Sequence, residues 1–141
     1  MFVTILVQAR RQPTITQSAF RTQYESFVSL VRALAGDAFP IVHRRTYIAH
    51  STTLWEPLLG SNPLINSIDY DVLAELTFED HAAYERFRAK LAEPSVARQM
   101  QDCAARFIDT CAIAMAAVGE VKETRRAPEW FRGVGERFLW E

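Results

Sequence analysis

Apolar and polar residues follow one another along the chain in patterns that predict strands and helices in turn. Residues 2 to 9 (FVTILVQA) are largely apolar or β-branched at both alternating sets of positions, which is typical of a strand buried on both faces. From Thr16 to Gly36 apolar residues recur at helical spacing, with Thr16 suited to cap the free N–H groups of the first turn and Gly36 to end the helix. The chain is therefore predicted to begin with a strand and a long helix.

The remaining pattern predicts two strands, a helical region and a last strand. Residues 39 to 50 (FPIVHRRTYIAH) and 68 to 78 (IDYDVLAELTF) alternate β-branched or aromatic residues with ionisable ones, as strands do. An amphipathic helix then runs to Pro94, and a further helical piece covers roughly residues 95 to 106. The apolar run CAIAMAAV predicts a last strand that starts at Cys111.

A long loop is predicted between the two middle strands. Residues 51 to 66 contain two prolines and a glycine, which break regular structure. Long loops in compact domains often act as lids. We therefore expect Trp55, with its apolar neighbours, to cover a pocket.

The order of the elements predicts an α+β fold of the ferredoxin-like βαββαβ kind, in which two helices cover one face of the sheet. The first and last strands are apolar on both sides, so the other face would expose a large apolar patch in a monomer. We therefore expect a homodimer, a dimeric α+β barrel in which two sheets enclose an interior. The domain is assigned to residues 1–124. Residues 125–141 form an aromatic C-terminal tail that clamps the partner, caps the barrel or covers apolar surface.

Composition limits the partners that the chain is expected to have. A formal net charge of -1 gives no sign of a nucleic-acid binder, so a small uncharged or weakly acidic ligand is expected. The apolar start is too short for a membrane span and its arginine pair follows the run, unlike that of a signal peptide. Cys103 and Cys111 lack the spacing of a zinc site or a disulfide framework. We expect buried free thiols in a cytoplasmic protein.

The second predicted strand carries the residues best suited to chemistry. His43, Arg45 and Tyr47 share one face because side chains alternate along a strand, and we expect this face to point into the dimer-enclosed interior. Imidazole, guanidinium and phenol together suit acid–base reactions on a carbonyl compound. Asp69 or Asp71 of the third strand is expected to orient His43 or to pair with Arg45. The alternative interpretation is a structural ion pair at the sheet edge.

Several other residues are candidates for contact with a substrate. His50 lies near the strand end and is expected outside the core, and Tyr24 lies on an apolar helix face, either in the core or with its hydroxyl reaching the pocket. The candidate substrate-binding residues are Tyr24, His50, Trp55, Asp69 and Asp71. The sequence contains no glycine-rich phosphate loop, no metal-ligand spacing and no nucleophile elbow. Chemistry without a cofactor or metal is therefore expected.

Four sequence motifs occur in a recognisable order. They are Phe39, Pro40, His43, Arg45 and Tyr47 in the second strand; Asp69, Asp71 and residues 76 to 80 in the third; Glu93 and Pro94 after the helix; and residues 107 to 109 before the last strand. With them the chain resembles the fungal branch of the EthD-domain family over roughly residues 2 to 123. One departure stands out: relatives usually carry a histidine in the first helix, in a Tyr-Glu-x-x-His-x-Pro-like stretch that reads YESFVSLV here.

The resemblance implies a dimeric α+β barrel, the fold of small polyketide cyclases and cofactor-free monooxygenases. It also implies a cofactor-independent lyase, a decarboxylase or dehydratase, that acts on an aromatic polyketide intermediate in fungal secondary metabolism. In that interpretation His43, Tyr47 and Arg45 are the catalytic residues. Two alternatives stay open: a cofactor-free anthrone-type monooxygenase, and a non-catalytic dimeric module that binds a polyketide. The missing first-helix histidine keeps the binding module open.

Overall fold

The structure is a computed structural model that describes residues 1–50 and 68–127. The predicted loop with Trp55, and the tail beyond residue 127, lie outside the described residues. The strands are β1 (Val3–Ala9), β2 (Val42–Tyr47), β3 (Val72–Phe78) and β4 (Ala114–Ala117). The helices are α1 (Gln17–Ala35), α2 (His81–Leu91) and α3 (Pro94–Ala104), with short 3-10 turns at Gly36–Ala38 and Thr110–Ala112.

The four strands form one antiparallel sheet in the order β2-β3-β1-β4. β1 and β3 pair along their whole length, from Val3 opposite Phe78 to Ala9 opposite Val72. The predicted ferredoxin-like α+β fold is therefore confirmed. The helical region that follows β3 consists of two helices. Pro94 has no N–H to continue α2, and it instead begins α3.

The ends of α1 are set by two residues that the sequence indicated. The Thr16 hydroxyl accepts a hydrogen bond from the Ala19 N–H at 3.1 Å. At the other end Gly36 adopts a φ of 55°, a left-handed conformation that glycine adopts without a steric penalty, and its N–H donates to the Arg32 carbonyl. Both predicted caps are confirmed, and they fix where α1 lies along the sheet.

The core lies between the sheet and the helices. Alternate residues of β1 and β3 point into it, among them Ile5, Ala9, Val72, Ala74 and Phe78, all less than a tenth exposed. The opposite face of the sheet consists of the intervening residues, which are half-buried or exposed in the single chain; they include Thr4, Leu6, Leu73, Glu75 and Thr77. The helices therefore cover one face of the sheet, as predicted.

Three strands, β2, β3 and β4, begin three or four residues later than predicted, and β2 also ends earlier, at Tyr47. β2 begins at Val42 because Phe39 closes the preceding 3-10 turn and Pro40 has no N–H to donate. β3 begins at Val72, which is the residue paired with Ala9 at the end of β1. Both strands are therefore shorter than the runs of alternating residues in the sequence.

The third difference concerns β4, which begins at Ala114 and not at Cys111. The Asp109 carboxylate accepts a hydrogen bond from the Cys111 N–H at 3.2 Å and caps a 3-10 turn over these residues. Cys111 is exposed and Cys103 is half-buried, so the prediction of two buried thiols is wrong. Both thiols are free.

Candidate functional site

His43, Arg45 and Tyr47 lie on the face of β2 that packs toward the helices. The three residues pair with Leu76, Ala74 and Val72 of β3, and residues directly opposite one another in an antiparallel pair point to the same side of the sheet. Because Ala74 and Val72 are buried beneath the helices, the prediction that this face points into a dimer-enclosed interior is wrong. Alternation identifies which residues share a face, but helix packing decides which face is covered.

The partner of this group is Glu25 of α1, which the sequence analysis missed. Its carboxylate accepts a hydrogen bond from Nε of Arg45 at 3.0 Å and further hydrogen bonds from Nη2 of Arg45 and from the Tyr47 hydroxyl. The prediction that Asp69 or Asp71 orients His43 or pairs with Arg45 is wrong. Asp69 instead pairs with Arg10, and Asp71 contacts Arg11 and His50. The sequence feature that could have pointed to Glu25 is its place directly after Tyr24 in the first helix.

The charges of this cluster favour an ionised glutamate and a protonated tyrosine. The hydrogen bond from Arg45 lowers the pKa of Glu25. Burial, followed by the hydrogen bond to Glu25, raises the pKa of Tyr47. Tyr47 therefore acts as a hydrogen-bond donor at neutral pH.

His43 is a half-buried imidazole beside this cluster. Its Nδ1 atom is buried and has no hydrogen-bond partner among the described residues. Burial, and then the positive charge of Arg45, lower its pKa to about 4. The ring of Phe39 packs against it in an edge arrangement with centroids 5.8 Å apart. At neutral pH His43 is therefore uncharged, with one nitrogen unpaired in this part of the structure.

Tyr24 packs beneath the cluster as a core residue, which was one of the two predicted placements. It is 5% exposed, and burial raises its pKa to about 12. Its ring meets the ring of Tyr47 edge-on, with centroids 6.0 Å apart. Arg21 lies over the Tyr47 ring at 5.7 Å. Three residues of α1, namely Arg21, Tyr24 and Glu25, thus contact Tyr47.

A loss of the Glu25 carboxylate is expected to weaken the fold in a pH-dependent manner. The lowered pKa of Glu25 means that this carboxylate stabilises the fold fully above pH 4.5, its ordinary value, and loses that effect as the pH falls through the folded-state pKa. Glu25→Gln should lower the free energy of unfolding by about 1 kcal/mol at pH 7, since the pair is partly solvated. Urea denaturation at a series of pH values measures this, with the exposed Glu120→Gln as the control. An effect of Glu25→Gln that does not shrink in acid would contradict the assignment.

A second polar cluster lies at the end of the sheet, around the buried Asp71 carboxylate. Asp71 is 6% exposed and accepts hydrogen bonds from the Arg11 backbone N–H at 2.8 Å and from Nε2 of His50 at 3.0 Å. Nε of Arg11 lies 3.4 Å from the same carboxylate. Arg10 bridges Asp69 at 2.6 Å and Asp109 at 2.8 Å. Arg10 and Arg11 therefore pair with the three aspartates, and His50 contacts one of these, Asp71.

These residues line a cleft of about 480 Å³, within the range of about 300–1,000 Å³ that small-molecule sites occupy. Three of the predicted substrate-binding residues, His50, Asp69 and Asp71, meet here, whereas Tyr24 is not among the lining residues. The lining consists of Arg10, Arg11, Pro13, Gln17, His50, Ile68, Asp69, Asp71 and Asp109. The two arginines were not among the predicted site residues, although they directly follow the first strand.

Comparison with known proteins identifies the family of this chain. The model of the EthD domain matches residues 12–111, well over half of the sequence. The chain belongs to the EthD-domain family. The matched region of this EthD-domain protein contains His43 and its cluster together with His50 and Asp71. No curated protein matches the chain at a significant level.

Solved structures share the fold at low sequence identity. An EthD-family protein from Bacillus halodurans C-125 is 16% identical with a TM-score of 0.52, over 86% of this chain and 100% of that one. SnoaB, a cofactor-independent oxygenase from Streptomyces nogalater, is 11% identical with a TM-score of 0.52, over 89% and 98%. A dimeric ferredoxin-like protein of unknown function from Jannaschia sp. CCS1 is 14% identical with a TM-score of 0.53, over 85% and 100%. These likenesses establish the fold of the EthD-domain protein.

The described residues contain neither a cluster of metal ligands nor a helix that could cross a membrane. No group of three or more His, Cys, Asp or Glu side chains in residues 1–50 and 68–127 is arranged to hold a metal ion. None of the helices in these ranges combines the length and the apolar character that a membrane crossing requires.

Proposed function

We propose that this EthD-domain protein is a cofactor-independent lyase that decarboxylates or dehydrates an aromatic polyketide intermediate of fungal secondary metabolism. The observation that carries the proposal is the uncharged, half-buried His43 next to the Glu25–Arg45–Tyr47 cluster, with a buried Nδ1 that has no hydrogen-bond partner within residues 1–50 and 68–127. An uncharged imidazole is the form that a general base requires. The substrate class and the fungal setting rest on the motifs that the chain shares with that branch of the family.

Decarboxylation would use the cluster to stabilise an enolate. As the bond to the carboxylate breaks, its electron pair moves onto the β-carbonyl oxygen. A hydrogen bond from His43 stabilises the developing negative charge, and Tyr47 adds a second one when its hydroxyl turns from Glu25 to the substrate. Arg45 already has Glu25 as its counter-ion, so it offers oriented N–H groups and does not hold the substrate carboxylate with a full positive charge. That is favourable, because a strong hold on the ground-state carboxylate would slow the loss of carbon dioxide.

Dehydration would use the same residues in a different order. His43 takes the α-proton, and the electron pair of the broken C–H bond forms the new double bond as the hydroxyl group leaves as hydroxide. The Tyr47 hydroxyl turns from Glu25 to hydrogen-bond this hydroxide, and the His43 imidazolium then protonates it to water. A pKa of about 4 makes His43 a weak base in the free protein. Negative charge that develops on the substrate raises this pKa as the proton moves, because an opposite charge nearby favours the imidazolium.

We also propose that the protein works as a homodimer in the cytoplasm. The face of the sheet away from the helices carries Leu6 and Leu73, the Thr4 and Thr77 hydroxyls 3.1 Å apart, and the Arg44–Glu75 ion pair at 3.8 Å. Two solved structures with the same fold are described as dimeric. Two free cysteines support a reducing compartment.

A charge on the inner strand β3, on this face of the sheet, is expected to prevent dimerisation. Leu73→Arg should convert a dimer of the 16.1 kDa chain into a monomer, since an unpaired buried arginine would be desolvated in the interface. Sedimentation equilibrium measures the mass, with the exposed Val121→Arg as the control. A dimer of unchanged stability in Leu73→Arg would exclude this face as the interface.

The proposed reaction is tested with aromatic β-keto and β-hydroxy polyketide acids under anaerobic conditions, with product analysis by mass spectrometry. Loss of carbon dioxide or of water in the presence of the protein, above the spontaneous rate, is the expected result. Oxygen uptake with an anthrone in a parallel aerobic sample would indicate the monooxygenase alternative. Tight binding of these compounds without conversion would indicate the binding module.

A further inference from the structure

We propose that His50 and Asp71 form a second acid–base centre, which takes the phenolic proton of an uncharged hydroxylated aromatic ligand bound in the cleft at the end of the sheet. The class of ligand rests on the proposed function. The centre itself rests on the geometry of the cleft. It is separate from the His43 cluster, whose three strand residues are not among those that line the cleft.

The tautomer of His50 is determined by its partner. A carboxylate group offers acceptor atoms to its neighbours, so we assign the hydrogen of the contact to Nε2 of His50, 3.0 Å from Asp71. The neutral imidazole then has its lone pair on Nδ1. The contact with Asp71 thus leaves Nδ1 of His50 as the nitrogen that can accept a proton.

Asp71 is itself held rigidly enough to serve this purpose. It is 6% exposed, it accepts a hydrogen bond from the Arg11 backbone N–H, and it lies 3.4 Å from Nε of the Arg11 guanidinium. A buried carboxylate that is bonded in this manner stabilises an imidazolium next to it once His50 has accepted a proton. The His50 side chain is 27% exposed, so it remains accessible from the cleft.

The charges around the cleft select an uncharged ligand. The charged groups that face His50 are two cations and three anions: Arg10, Arg11, Asp69, Asp71 and Asp109. With His50 neutral the lining has one net negative charge, which disfavours entry of a carboxylate. A phenol enters uncharged. Its O–H bond then breaks, the proton forms an N–H bond at Nδ1 of His50, and the electron pair stays on the phenolate oxygen.

The test uses 1,8-dihydroxyanthraquinone, whose visible absorption shifts to longer wavelength when a phenol group ionises. Wild-type protein is expected to bind it as the phenolate at a pH where the free compound is uncharged. His50→Gln should bind about tenfold more weakly and leave the compound in its uncharged form, because a glutamine amide can still donate to Asp71 but offers no base. His81→Gln, at an exposed position of α2, serves as the matched control and should behave as wild type.

A second measurement does not depend on the ligand. Because the sequence contains three histidines, single variants assign each imidazole in nitrogen-15 NMR spectra. The neutral form of His50 is expected to carry its proton on Nε2, and a proton on Nδ1 would overturn the proposal. So would a phenolate spectrum in His50→Gln equal to that of wild type, or binding to wild type only as the uncharged phenol. Anthraquinone-2-carboxylate should bind more weakly than the phenol, and stronger binding would contradict the charge argument.

These outcomes are distinguishable from failure of the proposed function. A protein that ionises the bound phenol but releases neither carbon dioxide nor water retains the His50–Asp71 centre and refutes the lyase. A protein that performs the lyase reaction equally well in His50→Gln, with no phenolate spectrum in wild type, refutes the centre and leaves the lyase.

Discussion

His43→Gln is expected to lower the turnover of an aromatic polyketide acid by about 100- to 10,000-fold, the contribution that a positioned acid or base makes to proton transfer. Glutamine retains hydrogen-bonding capacity but cannot take up a proton. The variant removes an uncharged imidazole whose Nδ1 has no partner in the described part of the chain. Single-turnover kinetics with product analysis, together with ligand binding, separates a loss of chemistry from a loss of affinity.

The control for this prediction is His81→Gln, which changes an exposed histidine on α2 and should retain full turnover. Tyr47→Phe, which removes the hydroxyl that donates to Glu25, should also slow the reaction while it preserves the ring that packs on Tyr24. If His43→Gln and Tyr47→Phe both bind ligand normally and turn it over at the wild-type rate, neither residue is catalytic.

The protonation of His43 can be followed independently of activity. Its imidazole should titrate in NMR spectra with a midpoint near 4, below its ordinary value of 6.5. Between these values the unfolded chain takes up a proton at His43 more readily than the folded protein does, so stability falls as the pH falls through this window. His43→Gln should remove that part of the acid sensitivity.

Phe107→Ala is expected to lower the free energy of unfolding by about 3–5 kcal/mol, the usual effect of removing a buried aromatic side chain. Phe107 is 1% exposed, and its ring contacts those of Phe20, Phe27 and Tyr24 with centroids 5.7, 6.0 and 6.2 Å apart. Urea denaturation followed by circular dichroism measures the change.

Phe2→Ala is the control for this substitution, because Phe2 is 69% exposed and should change stability little. Since Tyr24 packs on both Phe107 and Tyr47, the core variant should also loosen the cluster and reduce activity at temperatures where the protein stays folded. A stability loss below 1 kcal/mol would mean that the aromatic core is not packed as described.

The fold could be predicted because its signals are local. Each pattern depends on residues that are close in sequence. The helical spacing between Thr16 and Gly36 corresponds to α1, and the alternation corresponds to paired strands. The boundaries of β2 and β4 shifted because they depend on Pro40 and on a hydrogen bond from Cys111 to Asp109, which compete with the alternating pattern.

The candidate sites depend on contacts between distant parts of the chain, and these were predictable only in part. Alternation placed His43, Arg45 and Tyr47 on one face, but the packing of α1 decided that this face lies under the helix, where Glu25 meets Arg45 from 20 positions away in sequence. His50 and Asp71 were both named from the sequence. Their hydrogen bond depends on the course of the chain after β2 and before β3, which the spacing of apolar residues does not predict.

β2 is the outermost strand on its side of the sheet in the described part of the chain, so it is hydrogen-bonded to β3 alone, whereas β3 and β1 are each bonded on both sides. Local opening of β2 therefore breaks one ladder of hydrogen bonds and leaves the rest of the sheet intact. Glu25 opposes that opening by binding Arg45 and Tyr47 from the helix. The residues proposed for chemistry thus also restrain local opening of β2. Substitutions of Arg45 or Tyr47 that change the reaction rate will therefore also change how often this strand opens.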